Sequence, residues 1–157
     1  FRAESLNGLS GVGGSVSVND NGAVQVIAKD GYQINGINIV ERGDYLLSGA
    51  GSAVDVDGWS DVWDWNDVIF GPAVQQSLTV TGDLTINDSN THTWSAATSF
   101  DLTGTSWNGI NHLGLSLQNN LYATTDSAGD IAWIEKKIAA GGIDLSVITV
   151  VPVPAAA

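Results

Sequence analysis

The sequence predicts an all-β protein, built as an antiparallel β-sandwich or jelly-roll-like single domain. Short segments of alternating apolar and polar residues fill the chain, and this period of two is typical of strands with one buried face. The 19 glycines and the Asn-Gly and Asp-Gly steps supply turns between the segments. Roughly 9 to 11 strands, spaced about 8 to 12 residues apart, favour two packed sheets. A length of 157 residues fits one domain with a sizeable core.

The first strands are predicted to form two hairpins. Apolar residues alternate on both sides of residues 19–22, whose Asn and Gly tolerate positive φ, so a turn is predicted there between strands at 15–18 and 24–28. A second hairpin turn is predicted at Asp30-Gly31, before a strand at 32–40. A bulge or bend at Gly36 would explain why the apolar order slips in the middle of that strand.

The clearest alternation in the chain covers residues 77–86, with its apolar residues at Leu78, Val80, Leu84 and Ile86. A strand with one buried and one solvated face is predicted there. The remaining predicted strands lie at 44–47, 92–102, 113–117 and 131–138, with turns at 87–90, 108–109 and 126–130. The best helix candidate, residues 60–69, is short and rich in Asp.

The predicted C-terminal strand, residues 143–151, is apolar on both faces. Ile143, Leu145, Val147 and Val151 lie on one face, and Ile148 and Val150 lie on the other. Such a strand favours burial on both sides. Either it is a central strand of its own domain, or a terminal segment leaves the domain and completes the sheet of a neighbour. The N-terminal residues Phe1, Leu6 and Leu9 belong to the other segment that is a candidate for exchange.

These patterns divide the chain into four parts. Residues 1–10 are an N-terminal arm, and residues 11–142 form the sandwich domain. Residues 143–151 are the C-terminal strand that is a candidate for exchange, and residues 152–157 are the remnant of a terminal motif.

Composition excludes several classes of function. The chain has no Cys, which excludes disulfides and thiol redox chemistry. Its 17 acidic residues against 5 basic ones give a net charge of −12, which repels nucleic acids and anionic lipids. No apolar run reaches the ~18 residues that a membrane-spanning helix needs.

The densest polar cluster contains Asp55, Asp57, Asp61, Asp64 and Asp67. Carboxylates are the ligands that Ca²⁺ prefers, and Gly58 would permit a sharp turn, so the cluster is a candidate calcium site. The EF-hand order is not met, because Trp59 stands where an oxygen ligand is expected. The alternative is a solvated loop in which the Asp side chains accept hydrogen bonds from backbone N–H groups. Residues 126–130 are a weaker candidate.

The same region carries Trp59, Trp63 and Trp65, which fit a subunit interface, a core or a platform for glycan rings. The other tryptophans, Trp94, Trp107 and Trp133, lie in or beside predicted strands and are predicted to be core residues.

No catalytic constellation is recognisable in the sequence. His92 and His112 are the two histidines, and neither lies in a metal-binding spacing. No Gly-x-Ser-x-Gly elbow occurs. The sequence therefore predicts a protein that is not an enzyme.

The last seven residues, Val151-Pro152-Val153-Pro154-Ala155-Ala156-Ala157, resemble the motif that opens the PEP-CTERM sorting tail of exported Gram-negative bacterial proteins. The stretches 119–125 and 132–137 resemble the part of such exoproteins that precedes the motif. In that family an anchor helix and basic residues follow, and their absence here leads us to expect processed or trimmed ends. The resemblance implies a secreted or cell-surface protein of a biofilm matrix, sorted by an exosortase.

Two functions fit these observations. The first is a structural subunit of an extracellular filament or biofilm matrix, a homopolymer formed by strand exchange or edge pairing. The alternative is a surface-associated carbohydrate-binding module, in which the three clustered tryptophans contact exopolysaccharide and nearby Asp residues hold Ca²⁺.

Overall fold

The computed structural model describes residues 2–6, 13–136 and 142–151, and for residues 2–6 it describes the backbone alone. The strands are β1 (Arg2–Leu6), β2 (Gly14–Ile27), β3 (Gln33–Ser48), β4 (Ala53–Asp64), β5 (Ala73–Ser77), β6 (Thr79–Val80), β7 (Thr91–Asp101), β8 (His112–Thr125), β9 (Ile131–Lys136) and β10 (Ile143–Val150). A single 3₁₀ turn at Thr105–Trp107 precedes β8.

The strands form two antiparallel sheets that pack face to face. Sheet A has the order β1-β9-β3-β7-β6, with β10 also paired to β3, and sheet B has the order β2-β8-β4-β5. The predicted all-β sandwich is therefore confirmed. Buried residues alternate mainly with half-buried ones along the central strands β3 and β8, which fits two packed sheets.

The longest strand, β3, organises sheet A. One of its edges pairs with β7, and its other edge is shared by two strands that follow each other end to end. Of these, β9 pairs with residues 43–48 and β10 pairs with residues 33–41. The register steps from Ile148–Gly36 to Thr149–Ile34, so Asn35 is bulged. This confirms the irregularity predicted at Gly36.

The core consists of two apolar clusters between the sheets. One is centred on Tyr45, Trp94 and Leu121, and the other on Ile37, Phe100 and Leu113. The Trp94 indole Nε1–H donates to the Glu135 carbonyl at 3.0 Å, so its one polar group is satisfied. Of the tryptophans predicted to be in the core, Trp94 and Trp107 are buried and Trp133 is half-buried.

The predicted turn at residues 19–22 is wrong. These residues lie within β2, which pairs with β8 from Gly14–Thr125 to Ile27–His112 without a register shift. The long partner strand pairs in register with the whole segment, so the turn propensity of Asn and Gly is overridden. At Asp30-Gly31 the turn itself is present, with Gly31 at φ 81°, but it joins the two sheets rather than the arms of a hairpin.

The strand predicted at residues 77–86 is largely wrong, because only Ser77, the last residue of β5, and Thr79–Val80 join a sheet. The carboxylate of Asp83 accepts hydrogen bonds from the backbone N–H and the hydroxyl of Thr85, a local turn that competes with strand pairing. Three of its four apolar residues, Leu78, Val80 and Leu84, still pack against the first core cluster, whereas Ile86 is exposed. The alternation thus predicted which side chains face inward but not the hydrogen bonding.

Other predicted boundaries shift in the structure. The strand predicted at 44–47 is the end of β3, and the one predicted at 113–117 is part of the longer β8. The strand predicted at 92–102 matches β7 closely. The best helix candidate, residues 60–69, is not helical: its first half is the end of β4, and a turn follows at residues 68–70.

Two glycines of the long strands provide a test of the packing. A Cβ on Gly43 would lie 1.9 Å from the Glu135 carbonyl oxygen and 2.3 Å from the indole nitrogen of Trp94, whereas one on Gly22 would meet nothing within 4 Å. We expect Gly43→Ala to lower the free energy of unfolding by about 1–3 kcal/mol or more. Gly22→Ala should leave it unchanged or raise it by up to ~1 kcal/mol. Chemical denaturation measures both, and equal effects would contradict the described packing.

Candidate assembly surface and aromatic sheet face

One side of the sandwich is open. Within the described part of the chain, β10 pairs with β3 alone and β2 pairs with β8 alone. Each strand therefore has one edge that no described strand pairs with, and the two edges lie on the same side of the molecule. We call the space between β2 and β10 the open cleft. The two ends of the open cleft differ, because β1 approaches only one of them. β1 pairs with β9 and also lies near β2 and β8.

The open cleft is lined mainly by apolar side chains. Its first part has a volume of about 330 Å³ and is lined by Asp20, Gly22, Ala23, Val24, Ile39, Leu115, Leu117, Lys136, Ile143 and Leu145. Its second part has a volume of about 400 Å³ and is lined by Val26, Ile27, Ala28, Lys29, Tyr32, Val147 and Thr149. Val24, on the sheet B wall, is 51% exposed although its side chain faces the other sheet. The two sheets thus leave apolar surface uncovered where the edge strands meet solvent.

The C-terminal strand is apolar but not buried. All eight residues of β10 are exposed, so the prediction of a central strand covered on both faces is wrong. Its five apolar side chains, Ile143, Leu145, Val147, Ile148 and Val150, are each 37–50% exposed, and Val151 after them is more exposed still. β10 occupies an edge because β9 and β10 share one side of β3 and no described strand lies outside β10.

The other residues that sequence analysis assigned to assembly lie at the N-terminus. Leu6 is the last residue of β1, which pairs with β9 of the same chain. Phe1 and Leu9 lie outside the described residues, as does the tail from Pro152 to Ala157.

Two of the residue types that block unwanted pairing are absent from both edge strands. Lys and Pro discourage the addition of a further strand, and neither occurs in β2 or β10. The charges present are Asp20 in β2 and Asp144 in β10, and the carboxylate of Asp144 is paired with Arg42. The backbone edges of the open cleft are therefore accessible to an incoming strand.

The three clustered tryptophans lie at the outer face of sheet B and beyond its end. Trp59 and Trp63 both point outward from β4, about 13 Å apart for residues four positions apart on a strand. Trp63 lies against Gly114, where a Cβ would come within 2.0 Å of its ring. Trp63 stacks with Trp65 at a centroid distance of 6.3 Å, and Trp65 stacks with His112 at 5.7 Å. Trp63, Trp65 and His112 therefore stack in series, and we call these three residues together with Trp59 the aromatic row.

Polar side chains continue the same face. The carboxylate of Asp61 accepts hydrogen bonds from Gln75 at 2.7 Å and from the Ser116 hydroxyl at 3.0 Å. That of Asp57 accepts from Asn120 and from the Tyr122 hydroxyl. Desolvation, together with Asp57, raises the pKa of Tyr122. An aromatic row flanked by carboxylate, amide and hydroxyl groups is a combination that suits sugar rings and their hydroxyls.

The five Asp residues of the candidate calcium site are spread along β4 and the following turn. Asp55, Asp57 and Asp61 are on the outer face, Asp64 ends the strand, and Asp67 lies in the turn. Asp64 and Asp67 each accept a backbone N–H, from Asn66 and Phe70. Over residues 2–6, 13–136 and 142–151, no three acidic or histidine side chains converge as metal ligands would.

The weaker calcium candidate at residues 126–130 forms a turn. The buried carboxylate of Asp130 accepts the backbone N–H of Ser127 at 2.9 Å, and Gly129 has φ 89°. The carboxylate therefore has a structural partner in the turn itself.

The histidines lie in separate places. His92 contacts the Asp88 carboxylate at 2.7 Å, and this hydrogen bond is the main reason why the pKa of Asp88 falls to about 2. His112 contacts the Gln25 side chain at 3.0 Å, next to the aromatic row.

Sequence analysis missed two features. Val68, Ile69 and Phe70 form an exposed apolar tip in the turn after β4, visible in the sequence as an apolar triplet before Gly71-Pro72. The second is a buried polar group of Glu41, Asn119 and Lys136 between the sheets. The sequence does carry a signal for this group. In its strand, each of the three residues occupies one of the alternate positions whose apolar residues face the core.

Comparison with models of protein families, with curated proteins and with solved structures found no match for this chain. Among the described residues, no helix has the length and apolar character needed to cross a membrane.

Calcium binding can be tested by thermal melting. We expect neither millimolar Ca²⁺ nor EDTA to shift the midpoint, because the carboxylates of Asp57 and Asp61 already accept hydrogen bonds from neutral donors and do not converge. Binding to the folded state would stabilise it by about 2.7 kcal/mol at a concentration of 100 Kd. A rise of the midpoint with Ca²⁺ that EDTA reverses, and that Asp57→Asn abolishes, would contradict this expectation and support the calcium site.

Proposed function

We propose that the protein is a structural subunit of an extracellular filament or biofilm matrix, which assembles by strand exchange or edge pairing and has no catalytic role. The observation that carries the proposal is the open cleft, where two strand edges that no described strand pairs with flank uncovered apolar surface. In strand addition, main-chain hydrogen bonds supply affinity and alternate side-chain pockets set the register. The open cleft offers both kinds of contact to one extended segment.

The segment that best fits as the exchanged element is β10 of a second copy. In its own chain β10 pairs with β3 over Ile143–Val150, and its apolar side chains remain 37–50% exposed, so they bury less surface than those of a central strand. The same β3 edge on a neighbouring copy would accept the same register, which is the principle of domain swapping. Pairing of free β10 or β2 edges between copies is the related route to a polymer.

The proposed location outside the cell has support from composition and from the tail. A cysteine-free, strongly acidic chain suits an exposed protein that must stay soluble before assembly. Residues 151–157 resemble the start of a PEP-CTERM sorting signal. We therefore propose a secreted or surface-associated protein of a Gram-negative bacterium, sorted by an exosortase.

Neighbouring residues of β10 provide a matched test of assembly. Leu145 lines the open cleft, whereas Ser146 faces the opposite way and is exposed. We expect Leu145→Lys to weaken self-association roughly 30-fold, since losing one buried Leu contact costs about 2 kcal/mol. Ser146→Lys should assemble as the wild type does. Light scattering against concentration, with negative-stain microscopy, measures the difference.

Two outcomes would contradict the proposal. Wild-type protein that stays monomeric at high concentration would remove the polymer. Equal assembly of the two variants would show that the open cleft is not the contact surface. Circular dichroism of both variants distinguishes lost assembly from lost folding.

A second candidate function is a carbohydrate-binding module, favoured by the aromatic row and the polar groups beside it. Trp59, Trp63 and Trp65 would stack on glycan rings while Asp57, Asp61 and Gln75 meet their hydroxyls. The outer face of sheet B is separate from the open cleft, so one protein could use both surfaces.

Glycan binding is tested by replacing Trp63, which stacks with Trp65 in the aromatic row. We expect Trp63→Ala to weaken binding to exopolysaccharide about 5- to 13-fold, because the loss of one stacking contact costs roughly 1–1.5 kcal/mol. Tyr32→Ala is the control, since Tyr32 is exposed but lies in the turn between the sheets. Intrinsic fluorescence titration and glycan arrays measure binding. If no glycan binds the wild type, the carbohydrate function is excluded.

A further inference from the structure

Three polar side chains meet in the interior between the two sheets. Lys136 Nζ donates to Glu41 Oε1 at 2.9 Å and to the Asn119 side-chain oxygen at 3.4 Å. The Asn119 amide nitrogen donates to the other oxygen of Glu41. The side chains of Glu41 and Lys136 are 0% and 5% exposed, and Asn119 is fully buried. We call this group the Lys–Asn–Glu triad.

The triad joins the sheets at one place. Lys136 is the last residue of β9 and pairs in register with Gly43, while Glu41 is opposite Ile143, the first residue of β10. Both therefore lie in sheet A where β9 gives way to β10. Asn119 lies at the centre of sheet B, between Asp20 of β2 and Gly58 of β4. A bond between Lys136 and Asn119 would connect β9 to β8 across the sandwich.

The contacts bring together an amine, a carboxamide and a carboxyl group. An amine held about 3–3.5 Å from an amide group, away from water, gains the advantage of proximity that makes intramolecular reactions fast. A carboxyl group in contact with both nitrogens can carry a proton from one to the other. Desolvation raises the pKa of Glu41 despite the opposing effect of Lys136, which favours a carboxyl able to hold that proton.

We propose that Lys136 and Asn119 form an intramolecular isopeptide bond, with Glu41 as the proton carrier. Lys136 Nζ, as the neutral amine, forms a bond to Asn119 Cγ. The bond between Cγ and Nδ2 then breaks, and Nδ2 leaves as ammonia after gaining the proton that Nζ loses. The carboxyl group of Glu41 passes this proton and ends in its starting state. The reaction is a transamidation that needs no oxidant or cofactor and occurs once in each chain.

A buried ion pair without this chemistry is the competing explanation. Burying Glu41 and Lys136 as charges costs desolvation energy that their attraction often fails to repay. Asp20, at 3.6 Å from Lys136 Nζ, is a second carboxylate in contact with the amine. An ion pair does not require Asn119, yet Asn119 contacts both of its members. The isopeptide bond uses all three residues and leaves a neutral amide in the core.

The bond would serve a chain that has no Cys. It would fix the two sheets to each other beside the open cleft, as a disulfide does in other exported domains. The proposal stands on the geometry of the triad and does not depend on assembly or on glycan binding.

Mass spectrometry of the purified full chain tests the proposal. We expect the intact mass to be lower than the mass of the sequence by one ammonia, and a protease digest to contain a branched peptide joining Lys136 to Asn119. Lys136→Met, Asn119→Ala and Glu41→Gln should each have the full mass. Lys29→Met and Glu135→Gln are matched controls outside the triad, and both should retain the loss of ammonia.

Succinimide formation at the Asn-Gly steps also releases ammonia, so the digest decides between the two. Succinimides hydrolyse in mild base and persist in Lys136→Met, whereas the isopeptide bond survives mild base and is absent from that variant. A wild-type chain of full mass, or linear peptides covering residues 119 and 136 in full yield, would overturn the proposal. Because the decisive measurement is on the wild type, a variant that fails to fold does not prevent the test.

Discussion

The structure depends on backbone pairing to two long strands, β3 in sheet A and β8 in sheet B. Every strand of sheet A except β1 and β6 pairs directly with β3, and every strand of sheet B except β5 pairs with β8. Because β3 is 16 residues long, two successive strands are needed to cover one of its edges. Along that edge β9 ends and β10 begins, and both the open cleft and the Lys–Asn–Glu triad lie beside this junction.

Backbone pairing between strands also explains where Asn, Asp and Gly residues form turns and where they remain in a strand. Asn19 to Gly22 remain extended because β8 pairs in register with β2 along its whole length. Residues 81–90 have no such partner along their length, and there Asp83 and Asp88 form local turns with Thr85 and Asn90. Propensity decides the backbone only where no long neighbouring strand supplies hydrogen bonds.

The sequence predicted the sandwich, most strands and the buried Trp94, because alternation reports which side chains face inward. It could not predict that β10 lies at an edge, because an apolar strand has the same residue pattern whether or not neighbouring strands cover it. Partner strands and sheet order depend on pairings between distant segments, and one sequence gives no measure of these. The triad was detectable in part: Glu41 follows the parity of Ile37 and Ile39, and polar residues at inward positions indicate a special role.

The triad and the exchange of β10 fit together mechanically. If β10 paired with a neighbouring copy, tension in the polymer would reach its own domain through the residues that follow Lys136. β9 is six residues long and would otherwise be held by backbone hydrogen bonds, which can open one after another from its end. A covalent bond from Lys136 to Asn119 would anchor that end to the central strand of sheet B. Load would then pass from β9 into β8, which is paired along both edges, before any hydrogen bond of β9 had to open.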